Sequence, residues 1–179
     1  LLDDVDAITV NPYMGRDSLQ PFLDRSEKGV FVLCRTSNPG GADLQDLELA
    51  SGETVYERVA ALADLWNEHG NVGLVVGATA PEELESIREQ VPDLPFLVPG
   101  IGAQGGDAEA AVEFGLTAAG EQRPVGLVNS SRSIIFAGED ADTRSGNRRG
   151  TTDEDAYFGA AGDAAKRLKR RLNEHRDTD

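Results

Sequence analysis

The stretch Phe96-Leu97-Val98-Pro99-Gly100-Ile101-Gly102-Ala103-Gln104-Gly105-Gly106-Asp107 decides how the chain is read. Its apolar start, with branched and aromatic side chains, predicts a buried strand. Four glycines follow within seven residues, and Asp107 then opens an Ala-rich helical pattern that runs to Phe114 and stops at Gly115. Glycines between a strand end and a helix start leave backbone N–H groups able to converge on an anion, and the helix dipole adds to the attraction. The loop therefore reads as a phosphate cradle. A tight strand-to-helix turn with no ligand would show the same glycines.

A second stretch bears on that choice. In Val125-Gly126-Leu127-Val128-Asn129-Ser130-Ser131-Arg132-Ser133-Ile134-Ile135-Phe136 a strand again runs into small polar residues, now followed by an arginine. The planar guanidinium fork matches phosphate oxygens. A surface ion pair is the commoner fate of an arginine, but the place of Arg132 just after an apolar strand argues against it. One Gly-rich strand end followed by one bearing Ser-Arg is the phosphate site found after the last two strands of many (β/α)8 barrels.

Outward from these loops the chain repeats strand and helix. Val5 to Val10, Val30 to Cys34 and Val72 to Gly77 read as strands, the second apolar throughout, as a strand buried on both faces would be. Between the first two, Asp17 to about Arg25 reads as a helix with Leu19, Phe22 and Leu23 on one face and Pro21 tolerable only in its first turn. Thr54 to His69 is the clearest helix, with Val55, Val59, Leu62 and Trp66 at buried-face spacing and Thr54 and Glu57 placed for a capping box. Thr79 and Glu82 are placed for a second box, ahead of a helix that buries Leu84 and Ile87. Beyond Phe136, residues 137–152 read as a charged loop or lid, from which Asn147, Arg148 and Arg149 could reach an anion. A last helix, about Asp153 to His175, has acid at its start and base toward its end, matching the macrodipole.

Five strand–helix units are too few for a complete (β/α)8 barrel, which takes about 250 residues. Because the phosphate signature belongs to the last two positions, the five units count as strands four to eight. The other three are then expected upstream. An open doubly wound sheet of five strands also fits the length.

At 179 residues the chain is read as a single domain, with net charge −15 and a pI near 4.4. That charge argues against nucleic acid or an anionic membrane as partner. Acid spread along the chain, with only Lys28, Lys166 and Lys169 as lysines, fits a high-salt cytoplasm. The lone Cys34 sits in an apolar run and reads as core packing in a reducing compartment. No apolar run approaches the roughly 20 residues that span a bilayer.

The two quoted loops carry a specific likeness. Pro99 to Asp107 resembles the seventh-strand loop of the orotidine 5′-phosphate decarboxylase family. Val76-Gly77-Ala78-Thr79-Ala80-Pro81-Glu82-Glu83-Leu84 resembles its sixth-strand end. Thr36-Ser37-Asn38-Pro39 and Asn11-Pro12-Tyr13-Met14-Gly15 resemble the family's type 2 branch. The resemblance implies a (β/α)8 barrel, working as a cytoplasmic homodimer without metal or organic cofactor, that converts orotidine 5′-phosphate to UMP and carbon dioxide. It implies that Gln104 bridges phosphate and pyrimidine, and that Arg132 clamps the phosphate with N–H groups near Gly102 and Ser131. It also implies that Ser37 bonds the pyrimidine edge and that Pro99 lies near the ring. The family's Asp-x-Lys-x-x-Asp array is absent from these 179 residues, none of whose three lysines follows a strand, so it is expected upstream. Two other readings stand beside this one: a non-catalytic phosphate-binding remnant of a barrel, and a sister sugar-phosphate decarboxylase or synthase that would use magnesium. Thr36 to Pro39 and Gln104 favour the nucleotide enzyme.

Overall fold

A computed structural model describes residues 2–102, 105–116, 126–139 and 154–176. Five strands, β1 (Ala7–Val10), β2 (Gly29–Arg35), β3 (Val72–Val76), β4 (Phe96–Pro99) and β5 (Gly126–Asn129), form one sheet in sequence order, every neighbouring pair parallel. Between and after them lie α1 (Arg16–Leu23), α2 (Val55–Trp66), α3 (Pro81–Gln90), α4 (Ala108–Glu113), α5 (Arg132–Ile135) and α6 (Glu154–Arg176).

The strand order separates the two architectures that the length allowed. A doubly wound sheet reverses direction at a switch point, whereas here the order runs monotonically from β1 to β5. With right-handed crossovers, a monotonic order puts every helix on the same side of the sheet. The core agrees. Val10, Val30, Val32, Cys34, Leu74, Val76, Phe96 and Val98 are buried in one cluster with Leu19 and Leu23 of α1, Ala60 and Ala63 of α2, Leu84 and Ile87 of α3, and Ala110 and Ala111 of α4. The opposite face is less covered: Thr9 is exposed, Phe31, Leu33 and Leu97 are half-buried, and Leu127 is 58% exposed. These alternate residues sit side by side in register, Thr9 with Phe31 and Leu97 with Leu127. The sheet is thus one wall of a barrel, and β2 is buried on one face rather than two.

Several local expectations shift. In α2 the buried residues are Tyr56, Ala60, Ala63 and Trp66, while Val59 and Leu62 flank them half-buried. Alanines on the inner face let the helix backbone lie close to the sheet. The Thr54 box forms, with Glu57 N–H donating to Thr54 Oγ1 (3.3 Å) and Thr54 N–H to Glu57 Oε2 (2.6 Å). The Thr79 box does not. Pro81 sets the first helical position of α3, so Ala80 becomes the cap residue and the Thr79 hydroxyl donates to Ser37 O (3.2 Å) instead. Pro21 lies in the second turn of α1, not the first, because the helix already starts at Arg16. Residues 137–139 continue helically where a loop was expected, and the rest of that loop lies outside the described residues. Cys34 is core: its thiol donates to Tyr56 O (3.2 Å), and burial pushes its pKa up to about 12, so it stays protonated.

At the opposite end of the sheet from the glycine loops, Arg88 closes the base. Its Nε donates to Phe114 O (2.7 Å) and its Nη1 to Pro92 O and Leu94 O (both 2.9 Å), while Cζ stands 3.6 Å from the Phe96 ring centroid. Burial pushes the guanidinium's pKa down to about 10, which leaves it charged at neutral pH.

Candidate functional site

The C-terminal tips of the strands are tied to one another through the backbone. Gly77 N–H donates to Arg35 O (2.8 Å), Ala78 N–H to Pro99 O (2.9 Å) and Asp107 N–H to Ala78 O (2.9 Å). Pro99 and Asn129 are register partners across β4 and β5. The loops after β2, β3, β4 and β5 therefore share one rim, with no side chain needed to bring them together.

Between the last two tips lies a cleft of about 120 Å³, lined by Pro99, Gly100 and Ile101 from one side and by Asn129 through Ser133 from the other. The Ser130 hydroxyl donates to Ile101 O (2.7 Å) and lies 2.6 Å from Ser133 Oγ, which stitches the two loops into one wall. Gly102 has φ 114°, and a Cβ there would fall 2.5 Å from Ser133 Oγ, so only glycine allows this approach. Asp107 caps α4, accepting from Glu109 N–H (2.8 Å) and Ala110 N–H (3.2 Å). Ser131 stands at the start of α5, whose first two N–H groups, on Arg132 and Ser133, have no acceptor within the helix. Arg132 is exposed and makes no ion pair among the described residues. Donors and one guanidinium, with no carboxylate among the described residues that line the cleft, suit a phosphate-sized anion.

The glycine loop is a less open cradle than its sequence implied. Gly105 N–H donates to Gly102 O (3.0 Å) and Gly106 N–H to Gly100 O (3.1 Å), so two of its amides close the loop upon itself. Gln104 lies outside the described residues. Of the other expected contacts, Pro99, Ser131 and Arg132 meet in the cleft, and Gly102 packs on the Ser130–Ser133 pair beside it. Ser37 sits two strands away, in a second hollow of about 370 Å³ lined by Arg35 through Pro39 with Thr79 and Ala80. The β3 tip joins the two: Gly77 presses on Ser37, where a Cβ would come within 2.8 Å of the Ser37 backbone.

Ser130 and Ser133 escaped the sequence reading, although their i, i+3 spacing across a helix start was a usable signal. Arg35 and Gln45, which bracket the Ser37 loop, gave no such signal. Lys28 donates to Val5 O (2.7 Å) before β2, Lys166 donates to Asp163 Oδ1 (3.4 Å) along α6, and none of the three lysines lines the cleft or the Ser37 hollow. No described helix is long and apolar enough to cross a membrane.

The chain is similar to proteins named orotidine 5′-phosphate decarboxylase. That of Halorubrum lacusprofundi is 73% identical over 180 residues, covering 98% of this chain and 61% of its own length. That of Haloarcula marismortui is 71% identical over 171 residues, covering 96% and 58%. Among solved structures, Leishmania donovani OMP decarboxylase superposes with a TM-score of 0.68 at 40% identity, over 95% of this chain and 58% of its own. The chain thus spans about three-fifths of the length of these relatives. Residues 2–144 match the family model described as orotidine 5′-phosphate decarboxylase / HUMPS, and the chain belongs to that family.

Proposed function

We propose that this chain is the phosphate- and pyrimidine-binding part of an orotidine 5′-phosphate decarboxylase, which releases carbon dioxide from orotidine 5′-phosphate and leaves UMP. The observation that carries the reading is the cleft between the β4 and β5 tips, lined by an exposed Arg132 that makes no ion pair among the described residues. In this reading Arg132 and N–H groups near Gly102 and Ser131 hold the phosphate, Gln104 spans phosphate and base, and Ser37 and Pro99 face the pyrimidine. The grip acts at a distance from the reacting carbon. Its binding energy fixes the ring where an acid and a base can work on it.

Those reacting groups are not in this chain, which holds no Asp-x-Lys-x-x-Asp run. In the proposal they come from a preceding segment whose lysine stabilises and protonates the carbanion at C6 of the ring. That segment would supply the remaining strands of the barrel. The working form is a cytoplasmic homodimer with no cofactor.

The test is a graft. The 179 residues replace the matching part of the Halorubrum lacusprofundi relative, and conversion of orotidine 5′-phosphate is assayed beside the 179 residues alone. The graft is expected to release carbon dioxide and the isolated chain to release none. A folded but inactive graft, or turnover by the isolated chain, would overturn the reading.

A further inference from the structure

The Ser37 loop leaves β2 and returns toward α2 through Gln45 and Asp46, and its two ends are locked together by a single arginine. Arg35 is the last residue of β2 and only 9% exposed. The register slips between Leu33 and Arg35, so Arg35 pairs with Val76, in line with the buried residues of β3. From there its Nη1 donates to Thr36 O (3.1 Å) and Gln45 Oε1 (3.3 Å), and its Nη2 to Asp46 Oδ2 (3.3 Å). Nε lies 3.1 Å from Asp46 Oδ1 but too bent for a hydrogen bond, so that contact is coulombic, as is the 3.8 Å approach to Glu83 on α3.

Gln45 completes the lock. Its Oε1 accepts from Thr36 N–H (2.9 Å), and its Nε2 donates to Thr36 Oγ1 (2.9 Å). Gly41, buried inside the loop, leaves the space: a Cβ there would come within 2.8–2.9 Å of Gln45 Oε1, Arg35 Nη1 and Thr36 Oγ1. Thr36 is thus held on its amide, carbonyl and hydroxyl, one residue before Ser37.

We propose that Arg35 and Gln45 are positioning residues for base recognition: they hold Thr36 so that Ser37 meets the pyrimidine edge, and they take no part in gripping the phosphate. This rests on the functional reading above and deepens it. A fork of fixed geometry on several acceptors suits such a task, because a small displacement of a hydrogen-bonding group removes most of its contribution. The phosphate cleft is walled by the loops after β4 and β5 and shares no residue with the lock.

The experiment compares two probes on the active graft, UMP and ribose 5-phosphate, by calorimetric titration. Arg35→Met and Gln45→Leu should each weaken UMP about tenfold while leaving ribose 5-phosphate within about twofold. Gln45→Glu keeps an oxygen for Thr36 N–H and should hold UMP within about threefold of the parent. If Arg35→Met fails to fold, Gln45→Leu decides. An unchanged ratio of the two affinities, or equal loss of both, overturns the proposal while the function stands. An inactive graft overturns the function itself.

Discussion

Arg88 and Arg132 show how one side chain serves two ends of the same sheet. Arg88 is buried at the base, where backbone carbonyls and the Phe96 ring surround it and no described carboxylate pairs with it. Replacing it with methionine fills much of the space but strands those carbonyls, so Arg88→Met should cost about 2–4 kcal/mol. Denaturant unfolding of the grafted enzyme, in high salt, measures this. Arg132 stands exposed at the rim. Arg132→Ala should leave the unfolding midpoint unchanged and weaken UMP by about 2–3 kcal/mol, the worth of a charge-assisted contact, in a calorimetric titration. Composition alone could not separate the two arginines, but their local sequence differs: Arg88 follows Ile87 within a helical pattern, and Arg132 follows Ser130-Ser131. Their strand ends differ, and Arg132 was legible because it follows a strand whereas Arg88 belongs to a helix.

At the scale of elements, capping is the clearest contrast. Thr54 and Thr79 have identical box spacing, and only Thr54 uses it. Thr54→Ala should therefore lower stability by about 1 kcal/mol in denaturant unfolding. Thr79→Ala removes no cap and should disturb the Ser37 loop instead, since its hydroxyl is spent on Ser37 O. The strands were legible to within two residues at either end because each is a short branched run bounded by turn formers. The two boxes were indistinguishable in sequence because the deciding fact, where Pro81 starts α3, depends on how the β3 tip meets its neighbours. The lock around Thr36 was illegible for a related reason. Arg35 and Gln45 are ten positions apart, and only the bulge in β2 and the bare backbone of Gly41 bring them together.

At the scale of the whole chain, the repeat of strand and helix was legible but left two strand orders open, and the monotonic order from β1 to β5 decides for the barrel wall. The charge sets the conditions. A net charge of −15 repels itself, and the Halorubrum and Haloarcula relatives come from halophilic archaea. Raising potassium chloride from about 0.1 M to molar concentrations shortens the screening length several-fold, so the unfolding temperature should climb with salt, as a thermal scan would show. What joins the strand tips at the rim has a further effect. Gly77, Ala78 and Asp107 fasten those tips with main-chain amides alone. The bonds themselves draw on no side chain, so the exposed residues around these three anchors are free to vary over generations while the loops hold their places, although Gly77 itself has no room for a side chain beside Ser37. Random libraries aimed at new substrates can accordingly be concentrated on the exposed positions of these loops, leaving Gly77, Ala78 and Asp107 unchanged, without dismantling the platform that presents them.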